Sequence, residues 1–93
     1  MRPSEQILEH KSQLEKEYHV ARVGIFGSFA RGEATESSDV DILVEFNENI
    51  DIFQFIRLQY YLIEILGRKV DLVTPDAVKP LVKEQIMREV LYI

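Results

Sequence analysis

The chain has 93 residues, a net charge of −5, 46% hydrophobic residues and no cysteine. This length favours a single domain over residues 1–93, and the missing cysteine excludes disulfides and thiolate metal sites. The acidic balance disfavours direct nucleic-acid binding through a basic surface. The sequence contains neither a signal-like segment nor a run of about 20 apolar residues. We therefore expect a cytoplasmic protein with no membrane association.

Helix and strand patterns alternate along the chain. Asp51 is a good N-cap and Gly67 a good helix stop, so they bound one long helix. The predicted elements are a helix over about 4–18 capped by Ser4, a strand over 20–26, a helical turn over 28–33, a strand over 40–46, a helix over 51–66, a strand over 69–73 and a helix over 80–91. This order predicts an α/β (α+β) domain in which helices pack against a small mixed three-stranded sheet.

Two carboxylates lie two positions apart near the start of the second predicted strand. Asp39 and Asp41 would point to one face of that strand, and their charges would repel unless a cation lay between them. Asp71 interrupts the third strand in the same way. If these strands are neighbours, the three carboxylates could hold two Mg²⁺ ions for phosphate chemistry. Alternatively, Asp39 could be an ordinary loop residue, Asp41 a strand residue paired with a Lys or Arg, and Asp71 an edge-strand residue that faces water.

Gly27 and Ser28, here called the glycine–serine corner, follow the first predicted strand. Backbone N–H groups and a hydroxyl at such a corner can hold a triphosphate without side-chain bulk, although Ser28 could simply cap the turn. Arg31 could reach a phosphate or pair with Glu33 or Glu36. The corner is not a Walker loop, because no Gly-Lys-Ser/Thr follows it.

These residues together resemble a known motif. Gly27 and Ser28, ten further residues and then Asp39-Val40-Asp41 are similar to the defining motif of nucleotidyltransferases of the DNA polymerase β superfamily. Residues 27–34 and 38–41 resemble the minimal branch, the MNT proteins, often encoded beside HEPN-domain proteins as toxin–antitoxin pairs. Residues 67–73 resemble the strand that carries the third carboxylate of that branch. The resemblance covers nearly the whole chain and implies a polymerase β-like core.

The resemblance implies a role for each matching residue. Asp39, Asp41 and Asp71 correspond to the ligands of two Mg²⁺ ions, and Asp71 also to the group that helps activate the nucleophile. Gly27 and Ser28 correspond to the pair that contacts the β- and γ-phosphates of ATP. The implied reaction transfers AMP from ATP to a hydroxyl, in this branch a tyrosine of a HEPN toxin, and so silences the toxin.

Two other functions remain open at this point. The chain could neutralise a HEPN partner by occlusion without catalysis, or it could transfer a nucleotide to a small hydroxyl compound or an RNA end. The clustered carboxylates favour the enzyme, because a pure binding module would gain nothing from them.

The long predicted helix is apolar over most of its circumference. At about 100° per residue, Leu58, Tyr61 and Ile65 lie opposite the broadest apolar side, so we expect them to contact a HEPN partner or a second copy of the chain. Tyr92 and Ile93 are candidates to extend that surface. The residues expected in the core are Ile52, Phe53, Phe55, Ile56, Tyr60, Leu62, Ile63 and Leu66.

Overall fold

A computed structural model describes residues 2–93. Its four strands are β1, Val20–Phe26; β2, Val40–Phe46; β3, Val70–Val73; and β4, Leu91–Tyr92. They form one mixed sheet in the order β3-β2-β1-β4. Strand β1 is antiparallel to both β2 and β4, whereas β2 and β3 are parallel. The predicted fold class is confirmed, and the sheet has four strands rather than three.

Within the described residues 2–93, five helices accompany the sheet. They are α1, Pro3–Glu9; α2, Lys11–Glu17; α3, Ser28–Arg31; α4, Ile52–Leu66; and α5, Pro80–Glu89, with a 3₁₀ turn over Pro75–Ala77. Helix α4 begins where predicted, because the Gln54 N–H donates to Asp51 at 2.8 Å and the Asp51 N–H donates to the Gln54 side chain at 2.9 Å. It ends at Gly67, whose φ of 65° is left-handed. As the connection between two parallel strands, α4 is the crossover that such a pair requires.

Both faces of the sheet are covered. Ile42, Leu43 and Val44 follow one another in β2 and are each 1% exposed or less, which is typical of a central strand buried on both sides. Ile42 belongs to the core that includes residues of α1, α2 and α4, whereas Leu43 packs with Phe26 and with Ile86 of α5. Since side chains alternate along a strand, Asp41 projects to the same side as Leu43, toward α5.

The first predicted helix is wrong in two respects. It begins at Pro3 with Arg2 as the N-cap residue, so Ser4 is not the cap. Proline suits this first position because the N–H that it lacks would have no partner there. The helix is also divided at His10, whose ψ of 8° ends α1 before α2 begins.

The last predicted helix is too long. It ends at Glu89, Val90 is extended, and β4 then pairs with Gly24 and Ile25 of β1. Gly24 allows this close approach, because a Cβ at that position would lie 2.6 Å from the Val90 side chain and 3.1 Å from the Leu91 carbonyl. A two-residue strand is too short to produce a readable alternation in sequence, which is why the pattern missed it.

The expected orientation of the long helix is also wrong. Leu58 is 1% exposed and Tyr61 and Ile65 are half-buried, so these three residues pack on the core and cannot form the partner surface. Four residues assigned to the core are exposed instead and share about 100° of the helix circumference. We call this surface the exposed α4 face: Ile52 (62% exposed), Phe53 (74%), Ile56 (39%) and Tyr60 (67%).

Polar groups on the buried side of α4 explain the difference. The Tyr61 hydroxyl donates to Gln13 at 2.9 Å and its ring stacks on Tyr18, while the Gln59 side chain donates to the Val70 carbonyl. Counting apolar residues gave these positions too little weight, because their polar atoms have partners elsewhere in the protein. In residues 2–93, no helix is both long and apolar enough to traverse a bilayer.

Candidate active site

The parallel register of β2 and β3 brings two of the expected carboxylates together. Asp41 pairs directly with Asp71, and Val40 on one side pairs with Val70. Asp39 immediately precedes β2, two positions from Asp41. Asp39 and Asp71 are exposed and Asp41 is half-buried. Asp41 and Asp71 therefore lie at one end of the sheet, on the side that faces α5, and Asp39 is near enough for its charge to act on the Asp41 carboxyl.

The electrostatics of Asp41 reflect this crowding of negative charge. Burial raises the pKa of the Asp41 carboxyl above its ordinary value, and the negative charges of Asp71 and Asp39 raise it further. The Arg31 guanidinium acts in the opposite direction, and Glu89 adds to the increase. A cation among these groups would offset a repulsion that the fold itself imposes.

Gly27 completes this end of the sheet. It follows β1 directly, and the last β1 residue, Phe26, pairs with Asp41. Its φ of 72° and ψ of −150° fall in a region that is nearly confined to glycine. A Cβ at this position would lie 2.0 Å from Asp41 Oδ2. Glycine is therefore required both by the backbone and by the adjacent carboxylate. Ser28 is half-buried and begins α3.

The three carboxylates supply hard oxygen ligands of the kind that Mg²⁺ prefers. Their charge and the raised pKa of Asp41 suit a divalent cation. In residues 2–93, however, no three Asp, Glu or His side chains already converge closely enough to hold a metal ion. Two open cavities, of about 810 and 850 Å³, are lined by other residues. The carboxylate oxygens are suitable ligands for Mg²⁺, whereas the convergence of the three side chains on a bound ion stays a prediction.

Two residues at this site were not found from the sequence. Glu89, at the end of α5, accepts from the Gly27 N–H at 3.0 Å and from the Arg31 guanidinium at 3.0 Å. Arg31 also pairs with Glu33 at 3.4 Å, which was one of its two expected roles. No sequence pattern links Glu89 to Gly27, because 62 positions separate them.

Arg68 is the second site residue that was not found from the sequence. Its Nη1 atom lies 3.1–3.3 Å from the carbonyl oxygens of Thr35, Glu36 and Ser38, so it donates into the loop before Asp39. The Val40 N–H donates to the Lys69 carbonyl at 3.0 Å. The start of β3, which carries Asp71, thus holds the segment that carries Asp39.

Known proteins resemble this chain over nearly its whole length. The model of the nucleotidyltransferase domain family matches residues 5–93. A candidate protein adenylyltransferase of Methanocaldococcus jannaschii is 48% identical over 86 residues, covering 91% of this chain and 88% of that protein. The protein adenylyltransferase MntA of Thermococcus cleftensis is 45% identical over 84 residues, covering 90% and 85%.

Solved structures share the fold. A candidate minimal nucleotidyltransferase superimposes with a TM-score of 0.80 at 35% identity, covering 98% of this chain and 95% of that one. A toxin–antitoxin structure with AMP-PNP gives 0.74 at 22% identity, covering 90% and 69%. A complex of tri-AMPylated Shewanella oneidensis HEPN toxin with MNT antitoxin gives 0.64 at 20% identity, covering 94% and 70%. The chain belongs to the nucleotidyltransferase domain family, in its minimal branch.

Proposed function

We propose that this nucleotidyltransferase uses Mg²⁺ to transfer AMP from ATP to a tyrosine hydroxyl of a HEPN-type toxin, and so acts as an antitoxin. The observation that carries the proposal is the direct pairing of Asp41 with Asp71 beside Gly27. Two further findings support it: a relative 45% identical is named a protein adenylyltransferase, and structural neighbours include a HEPN–MNT complex and one with AMP-PNP.

Each site residue has a role in this proposal. Gly27 and Ser28 bind the β- and γ-phosphates, where the missing side chain of Gly27 lets the phosphates approach the backbone. Asp39, Asp41 and Asp71 hold two Mg²⁺ ions, which, when bound, would stabilise the charge that develops on the phosphates and increase the acidity of the acceptor hydroxyl. Arg68 keeps Asp39 in place through the preceding loop.

The proposed reaction balances without any further reactant. The tyrosine oxygen forms a bond to the α-phosphorus of ATP, and the bond from that phosphorus to the α–β bridging oxygen breaks. Pyrophosphate leaves with the bond electrons, and Asp71, whose side chain is exposed, accepts the tyrosine proton. The product is a tyrosine that carries AMP through a phosphodiester.

Co-expression with a HEPN protein as the proposed partner tests the proposal. Intact mass spectrometry should find AMP-sized additions on the HEPN protein with the wild type and none with the Asp39→Ala/Asp41→Ala double variant. Asp76→Ala is the matched control, because it removes an exposed carboxylate from the 3₁₀ turn and should leave the additions unchanged. Additions that persist with the double variant would refute the assigned site.

One observation favours the second candidate function, occlusion of the HEPN partner without catalysis. The exposed α4 face presents four large apolar side chains to solvent, more than scattered surface residues explain. The same double variant separates the two functions. Toxin neutralisation at full strength by Asp39→Ala/Asp41→Ala would favour occlusion, whereas loss of neutralisation with an intact complex would favour catalysis.

A further inference from the structure

Glu89 occupies an unusual position for an acidic residue. It is the last residue of α5, where the partial negative charge of the helix end disfavours a carboxylate. Its side chain is only 20% exposed. Neither the helix end nor contact with solvent stabilises the negative charge of Glu89. Tertiary contacts must therefore stabilise it.

Two groups of the site supply that stabilisation. Glu89 Oε1 accepts from the Gly27 N–H at 3.0 Å, and Arg31 Nη1 lies 3.0 Å from Oε2 and 3.3 Å from Oε1. A backbone N–H and a guanidinium that converge on one carboxylate are the same donors that hold a phosphate in proteins. Glu89 thus fills an anion-binding position with a group from the protein itself.

A triphosphate at the glycine–serine corner would meet this carboxylate. Both groups are negatively charged, and both would need the Gly27 N–H, which has one hydrogen to donate. Binding of the triphosphate at Gly27 and retention of the Glu89 contacts are therefore opposed.

Resting on the proposed function, we propose that Glu89 is an internal competitor of the nucleotide. In the free protein it holds the Gly27 N–H and the Arg31 guanidinium, and nucleotide binding requires its displacement. Glu89 therefore sets the affinity for the triphosphate without taking part in the chemistry.

A matched pair of variants of the full chain tests this. Glu89→Gln keeps the shape and removes the charge, whereas Glu84→Gln removes the same charge from an exposed position of α5, where Glu84 pairs with Arg88. We expect Glu89→Gln to lower the Kd for AMP-PNP with Mg²⁺, measured in the absence of any acceptor protein, by about tenfold, the order of a hydrogen bond to a charged group. Glu84→Gln should stay within about twofold of the wild type. Isothermal titration calorimetry measures both.

An unchanged or higher Kd in Glu89→Gln would overturn the proposal and leave the proposed function standing. Absence of AMP-PNP binding in wild type and in both variants would instead remove the proposed function and this inference with it. Should Glu89→Gln fail to fold, the wild type still decides through the ¹³C signal of the Glu89 carboxyl. Saturation with Mg²⁺ and AMP-PNP should shift that signal, and an unshifted signal would overturn the proposal.

Discussion

Replacement of Gly27 by alanine is the sharpest test of the site geometry. Gly27 has φ 72° and ψ −150°, a region in which a residue with a Cβ costs about 1–3 kcal/mol. The new Cβ would also lie 2.0 Å from Asp41 Oδ2 and 2.9 Å from its carboxyl carbon. Gly27→Ala would therefore strain the backbone and would also displace Asp41 from its place beside Asp71.

Gly32 provides the matched control. Its φ of 73° is almost the same, its ψ of 21° is ordinary left-handed helix, and a Cβ added there would meet no heavy atom within 4 Å outside the adjoining residues. Gly32→Ala should therefore cost only the left-handed penalty of about 1–2 kcal/mol. We expect Gly27→Ala to lose roughly 1–2 kcal/mol more than this, because the clash adds to a higher backbone cost.

Urea unfolding of both variants measures the difference, and the co-expression assay measures AMP transfer in parallel. Gly27→Ala should abolish transfer even where it remains folded, since Asp41 must move, whereas Gly32→Ala should retain it. Equal losses of stability in the two variants, together with retained transfer by Gly27→Ala, would refute the assigned packing of Gly27 against Asp41.

Three further predictions concern Asp41, Arg68 and the exposed α4 face. Because the pKa of the Asp41 carboxyl is raised in the folded protein, its ionisation destabilises the fold, an effect that is absent below the pKa of the unfolded chain and complete above the pKa of the folded protein. Asp41→Asn should therefore raise the melting temperature at pH 7, whereas Asp76→Asn should not. A lower melting temperature for Asp41→Asn than for the wild type would contradict the assignment. Arg68→Ala should accelerate amide hydrogen exchange over residues 35–39, because three loop carbonyls lose their donor, and unchanged exchange would show that the loop is held otherwise. Phe53→Glu combined with Tyr60→Glu should prevent co-elution with the HEPN partner in gel filtration while circular dichroism stays the same; co-elution at full strength would exclude the exposed α4 face as the contact.

Much of the secondary structure could be predicted from local sequence patterns. The strands β1 and β2 and the helix α4 lie where their patterns predict, because alternation and capping depend on residues near one another in sequence. The capping box at Asp51 and the left-handed Gly67 are examples. The Asp39–Asp41 spacing and the glycine–serine corner indicated the site by the same local logic.

Contacts between distant segments decided the remainder. The side chains of Tyr61 and Gln59 on the packed side of α4 have partners outside the helix, Gln13 and the Val70 carbonyl, and an apolar count over the helix could not foresee them. Strand β4 depends on space at Gly24, which becomes visible only once the two segments meet.

The sequence alone was enough to predict which residues carry the chemistry: three aspartates and a glycine–serine pair whose types and spacing indicate metal-assisted phosphate transfer. Only the tertiary structure decided how these residues meet, with Asp41 opposite Asp71, and which other residue joins them. Glu89 reaches Gly27 because α5 packs on the sheet face that bears the aspartates. Register and helix packing are set by the whole core, so no local pattern encodes them.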